Sequence, residues 1–168
     1  GYFKIIWRHP YELVMSSDPM QHTQWFSGGQ LNYAEHIFRN ATAKHPAILF
    51  QSERHPLTAV SWADLREKVA ALQAYFLSVG VKPGDRIAGY LPCIPEATIC
   101  LLAAMSIGAV WSSCSPDFGT ASVVERFRQI EPTVLIAVDG YSYSGKKFDR
   151  MTEVVSLSKS FPSLKKTI

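Results

Sequence analysis

At 168 residues, 47% of them hydrophobic and 18% charged, the chain is long enough for one domain with a real core and too apolar to be disordered. A net charge of +3, mild and scattered, argues against a nucleic-acid surface. Three cysteines, an odd number, argue against a disulfide framework and fit a reducing, cytoplasmic setting, and no apolar run reaches the roughly 18 residues of a membrane helix.

Residues 1–24 contain "HP" and "SSDP" and few periodic positions, and are read as an irregular wrapping arm. The chain opens on Gly1, with no signal-peptide core and no initiator methionine, and is read as a piece of a longer protein. "LNYAEHIFRNATA" predicts a helix. Asn32 is its cap and Glu35 stands three residues on, with Ala34, Ile37, Phe38 and Ala41 on one face. "AILFQSERHPLTAVS" predicts two short strands around a turn. Ser61 and Asp64 then open the clearest helix. Leu65, Val69, Leu72, Phe76 and Val79 form one stripe, and Gly80 closes it.

From residue 86 strands and helices alternate. "RIAGYL", "AVWSSC" and "TVLIAV" predict strands at 86–91, 109–113 and 133–138. "PEATICLLAAMSIG", "TASVVERFRQI" and "DRMTEVVSLSKSF" predict helices, and "LKKTI" begins a further strand. Short apolar strands separated by helices imply a Rossmann-like parallel sheet with helices on both faces. The expected fold class is therefore α/β.

Two connections carry polar chemistry. "WSSCSPDFG", Trp111–Gly119, leaves the carboxyl end of a strand, the edge where open α/β sheets bind ligands. A nucleophile elbow needs glycines on both sides of its serine, and none precedes Gly119 here. The local alternative is that Ser115 or Asp117 caps the next helix while Gly119 permits a sharp bend. "GYSYSGKK", Gly140–Lys147, has phosphate-loop spacing up to its last position, where Lys147 replaces the expected Ser or Thr. Tyr141 and Tyr143 are bulky for a phosphate cradle. The remaining readings are Lys146 or Lys147 pairing with a phosphate by charge, or a solvated basic turn. Cys93, Cys100 and Cys114 are expected to be buried free thiols. The five histidines have no metal-ligand spacing, so no metal site is expected.

"WFSGGQLNYAEHIF", "GVKPGDRIAGYLPCIPEATICLLAAMSIGAVWSSCSPDFG" and "ERFRQIEPTVLIAVDGYSYSGKKFD" together resemble the N-terminal part of the acetoacetyl-CoA synthetases. These are relatives of the acetyl-CoA synthetases in the adenylate-forming superfamily. The resemblance runs from about Trp25 to the C-terminus. It implies that residues 25–168 are the first part of an AMP-binding domain, following the arm at 1–24. It also implies a two-step ligation. ATP with Mg²⁺ and acetoacetate give an acyl-adenylate and pyrophosphate, and CoA then displaces AMP.

In that superfamily the phosphate loop, the AMP-holding aspartate and arginine and the catalytic lysine belong beyond the point matching residue 168. The resemblance therefore implies no catalytic residue here, no activity and no tight ligand for the piece alone, and self-association of apolar surface left uncovered. It implies CoA contacts at Ser115, Pro116 and Asp117 in one loop and at Tyr143, Gly145, Lys146 and Phe148 in another. Two arginines of acetyl-CoA synthetase correspond to Tyr143 and Lys146. The competing readings are another short-chain synthetase, for acetate or propionate, and a non-catalytic α/β module binding a nucleotide or partner.

Overall fold

The computed structural model describes residues 2–168. Its first element is a small antiparallel hairpin, β1 (Leu13–Met15) against β2 (Trp25–Ser27), with Leu13 opposite Ser27. The arm is thus less irregular than the sequence suggests, because a strand lies inside it. Trp7, Tyr11 and Phe26 meet edge to face or tilted, 5.2–5.9 Å apart, and this aromatic cluster braces the segment in place of an alternating pattern.

α1 (Tyr33–Phe38) is capped as expected, with the Asn32 side chain accepting from the Glu35 N–H at 3.2 Å. It is shorter than expected. The N–H groups of Asn40 and Ala41 bond to carbonyls three residues back, which tightens and ends the helix, and Ala41 is exposed rather than on the buried face. β3 (Ile48–Phe50) and β4 (Thr58–Val60) pair antiparallel, apart from the main sheet. α2 (Trp62–Ser78) starts at Ser61, whose hydroxyl accepts from the Asp64 N–H at 3.0 Å and donates to its carboxylate at 2.7 Å. Its stripe buries Leu65, Val69 and Phe76, and Gly80 follows the helix at φ +80°.

The alternation then unfolds as β5 (Arg86–Tyr90), α3 (Pro95–Ser106), β6 (Val110–Cys114), α4 (Thr120–Arg128) and β7 (Val134–Ala137). A second hairpin, β8 (Gly140–Tyr143) and β9 (Lys146–Asp149), precedes α5 (Met151–Ser160) and β10 (Lys166–Thr167). The main sheet has the order β10-β7-β5-β6, all parallel. Successive strands go to one side of β5 and then to the other, so the direction of winding changes between β5 and β7. In such sheets the crevice for ligands opens there, beyond the carboxyl ends.

β5 feeds two cores. Ile87, and Leu91 just beyond the strand's end, join α2 and α3 side chains such as Phe76, Ile99 and Leu102. Ala88 and Tyr90 join Val123 and Phe127 of α4 and Leu157 of α5. The alternation of one strand thus places one helix layer on each face. β6 is more exposed than an apolar central strand would be, because it forms an edge of the sheet.

At Gly89, in the middle of β5, a Cβ would stand 2.7 Å from the Trp111 ring and 3.3 Å from the Ser113 Cβ. Ser113 is the cross-strand partner of Gly89, and the indole of Trp111, which pairs with Ile87, reaches diagonally over the glycine. Gly89→Ala is expected to lower unfolding stability by about 1–3 kcal/mol, the usual cost of overpacking. Urea denaturation measures it, and an unchanged midpoint would show that the indole simply swings away.

Candidate functional site

The site is built where β5 and β6 end. Tyr90, the last residue of β5, has no exposed surface. Burial pushes its phenol above the ordinary value, so the hydroxyl keeps its proton and donates. Its acceptors are the backbone carbonyls of Pro116 at 2.8 Å and Phe118 at 3.1 Å. A buried tyrosine hydroxyl at a strand's end thereby fixes the turn 115–118, which is itself closed by the Phe118 N–H on the Ser115 carbonyl.

This turn overturns the expected helix cap. Gly119 occupies the cap position of α4, at φ −64° and with no side-chain hydrogen bond. Asp117 lies two residues ahead of it, too early in the chain to reach the first-turn N–H groups. Gly119 has no need of glycine's left-handed freedom, and a Cβ there would meet nothing. Of the three residues singled out in this loop, Ser115 and Asp117 are exposed, while the Pro116 ring is fully buried and its carbonyl is turned inward.

The second stretch is a β-hairpin, which removes the phosphate-loop reading. Ser144 and Gly145 are a two-residue turn with φ of +50° and +73°, the signature of a type I′ hairpin. A phosphate loop runs straight into a helix, whereas β9 intervenes here before α5. The turn's N–H groups are also taken. Ser144 and Gly145 donate at 2.8 and 2.9 Å to the two carboxylate oxygens of Glu53, 91 and 92 residues away in sequence. Those bonds, Gly145's first and Ser144's next, hold the Glu53 carboxyl below its usual value.

The register sorts the hairpin side chains. Tyr143 faces Lys146 across the strands, Tyr141 faces Phe148, and these four share one face. Lys147 pairs with Ser142 and points the other way. Tyr141 and Phe148 stack with centroids 5.0 Å apart and planes 15° from parallel. Tyr143, Gly145 and Lys146 form the exposed tip and Phe148 is half-buried.

Arg150 ties this hairpin to the 115–118 turn. Its Nε donates to the Pro116 carbonyl at 2.8 Å, and one terminal nitrogen donates to the Tyr141 hydroxyl at 3.3 Å. The other pairs with Glu153 of α5 at 3.0 Å. The guanidinium carbon lies 5.4 Å from the Tyr141 ring centre and 5.9 Å from that of Phe148. The two segments that the resemblance picks out are therefore joined through Arg150, with Tyr90 anchoring the turn from the sheet side, and sequence reasoning selected neither residue. Tyr90 carried a signal, since an aromatic hydroxyl at the carboxyl end of a buried strand needs a partner. Glu53 carried none.

A cavity of about 630 Å³ opens between the ends of β5 and β7, lined among others by Phe50, Arg54, Pro92, Val138 and Tyr141. It coincides with the change of winding direction. It does not coincide with Ser115–Asp117 or with the hairpin tip, and touches the hairpin at Gly140, Tyr141 and Ser142.

Two of the three thiols are buried as expected. Burial pushes Cys100 up to about 11 and raises Cys114, so neither is a nucleophile near neutral pH. Cys93 is exposed, contrary to expectation, because it sits in the turn before α3 at the cavity's edge. Among the described residues no cluster of three or more His, Cys, Asp or Glu is placed to hold a metal, and no helix is long and apolar enough to cross a membrane.

Residues 37–167 match the family of AMP-binding enzymes. The acetoacetyl-CoA synthetase of Macaca fascicularis is 40% identical over 146 residues, which are 86% of this chain and 22% of that protein. The acetoacetyl-coenzyme A synthetase of Rhizobium meliloti is 38% identical over 157 residues, 94% of this chain and 24% of that one. The solved acetoacetyl-CoA synthetase from Streptomyces lividans superposes with a TM-score of 0.94 at 47% identity, over 99% of this chain and 26% of that structure. The chain thus spans about a quarter or less of the length of these relatives.

Proposed function

Because the chain belongs to the AMP-binding enzymes, we propose that it is part of an acid–thiol ligase that makes acetoacetyl-CoA. The reaction uses ATP to convert acetoacetate into its acyl-adenylate, releasing pyrophosphate. The CoA thiol then attacks the acyl carbon, its proton is lost, and AMP departs. The observation that carries the acetoacetate assignment is the likeness to acetoacetyl-CoA synthetases over nearly the whole chain.

The role of these residues in the reaction is to receive CoA. The hairpin tip presents Lys146 and Tyr143 side by side, a cation for a phosphate and a flat ring for a base. Gly145 gives the tip its turn, Phe148 supports it from the same face, and Ser115 and Asp117 flank the buried Pro116 at the neighbouring edge. No described cluster fits Mg²⁺, so no step is assigned to the metal here. We place the enzyme in the cytoplasm, in line with its unpaired thiols. Exposed Phe3, Leu13, Met15 and Trp25 are the surface through which the 168-residue piece would self-associate.

In the full-length enzyme, Lys146→Ala is expected to raise KM for CoA about tenfold, the loss of one charge-assisted phosphate contact, and to leave KM for ATP unchanged. Lys147→Ala should do much less, because strand alternation points it to the opposite face. Steady-state kinetics with CoA and ATP varied separately decide this. Equal effects on both substrates, or none on either, would remove Lys146 from the CoA site. Acetate used as well as acetoacetate would refute the acyl assignment.

A further inference from the structure

We propose that Arg150 is the positioning residue of the CoA site, holding the 115–118 turn and the β8–β9 hairpin in one frame. This rests on the CoA reading above, and goes beyond it by naming what sets the spacing between the two contact segments.

The geometry is specific to an arginine. The guanidinium is planar, and its donors leave in fixed directions. Here three of them reach three different elements: the Pro116 carbonyl, the Tyr141 hydroxyl and the Glu153 carboxylate. The Arg150 backbone N–H adds a bond to the Asp139 carbonyl at 2.6 Å, fixing the residue where the hairpin begins and ends. The Pro116 carbonyl accepts from both Arg150 and Tyr90, each at 2.8 Å. One oxygen is therefore held from the sheet side and from the hairpin side.

Other connections between these segments are weak by comparison. The hairpin is a separate two-stranded ladder, outside the four-stranded sheet. A two-stranded ribbon in water is marginal by itself and takes its orientation from what it leans on. Its tip is braced by Glu53, an exposed contact, and its base by Arg150, which is mostly buried at 20% side-chain exposure. Lys146 and Tyr143 reach outward from this ribbon, while Ser115 and Asp117 reach outward from the turn. A ligand touching both sets needs them at a fixed separation, and Arg150 bonds to both.

A lysine at this position keeps the positive charge but lacks the planar fork that reaches all three partners at once. Arg150→Lys in the full-length enzyme is expected to raise KM for CoA about five- to tenfold, the loss of one or two hydrogen bonds from a charged donor. Acetoacetate-dependent exchange of pyrophosphate into ATP, which needs no CoA, should be unchanged, and kcat at saturating CoA should stay within about twofold. Tyr141→Phe, which removes one acceptor and leaves the stacked ring, should raise KM for CoA about twofold with the same selectivity. It is the variant to rely on if Arg150→Lys fails to fold.

A parallel fall in exchange and in CoA turnover would make Arg150 a general structural residue and overturn the proposal. If Lys146→Ala raises KM for CoA but Arg150→Lys and Tyr141→Phe do not, the positioning role is wrong and the CoA site stands. If none of the three moves it, the CoA reading itself fails.

Discussion

Assayed by itself, the 168-residue chain will release no pyrophosphate from ATP and acetoacetate. Adenylation needs a set of donors around a triphosphate and a metal to neutralise it. The one stretch here with phosphate-loop spacing, Gly140–Lys147, is a β-hairpin whose turn N–H groups are bonded to Glu53. Lys147 stands where a magnesium-binding hydroxyl would be needed, and no described carboxylate cluster takes its place. The full-length protein, for which this activity is proposed, is the positive control run in parallel. Acetoacetate-dependent pyrophosphate release by the purified piece, above a heat-killed blank, would mean that the chemistry lies within these residues.

The largest stability loss from a single truncation is expected at Phe127. Only Val123 and Phe127 of α4's nine residues are buried, so these two hold the helix to the sheet. Phe127 is 1% exposed and meets Phe161 edge to face at 6.2 Å. Phe127→Ala removes the transfer energy of the ring and leaves a hole between α4 and the end of α5, together about 3–5 kcal/mol. A domain of this size has roughly 5–15 kcal/mol in total. The substitution should therefore bring the urea midpoint down by a large fraction. Val155→Ala, on the exposed side of α5, should move it by no more than about 0.5 kcal/mol. A loss under about 1 kcal/mol at Phe127 would show that the two aromatic rings are not a shared core.

The sheet was legible because its signal is repetitive. The apolar runs around Ile87, Trp111 and Leu135 are short, evenly spaced and separated by helical stripes, and the four parallel strands follow from that pattern. The caps of α1 and α2 were legible because Asn32 and Ser61 act on neighbours three residues away. The β8–β9 hairpin was misread for the opposite reason. Its turn, Ser144-Gly145, lies inside a stretch whose glycines and lysine also fit a phosphate loop, and two-residue alternation is hard to see in strands of four. The cap of α4 was misassigned because Ser115 and Asp117 are good capping residues in a turn that ends too soon.

For the site, the legible part was the edge of the sheet. The two segments named by resemblance both leave carboxyl ends of parallel strands, and both lie where the structure gathers polar groups. What joins them was hidden. Arg150 reads as an ordinary charge at the start of a helix, and its partners Pro116 and Tyr141 are fixed by packing. Pairs 34 or 91 residues apart, such as Arg150 with Pro116 or Ser144 with Glu53, leave no periodic trace in a single sequence.

The division of β5 between two cores has a consequence for how the chain is made. Synthesis proceeds from the N-terminus at about 5–20 residues per second, so early segments have time to settle before later ones exist. Among the described residues, the core on the Ile87 face draws nearly all its buried members from residues 34–109, with Val134 and Ile136 arriving later, as do Trp111 and Val138 at its margin. The core on the Ala88 face needs Val123, Phe127, Leu157 and Phe161, all of them later than β6. A nascent chain emerging from the ribosome can therefore close the first layer around α2 and α3 while the second layer is still being translated. During that interval the Ala88 and Tyr90 side of β5 is bare, and it is the surface a chaperone would meet.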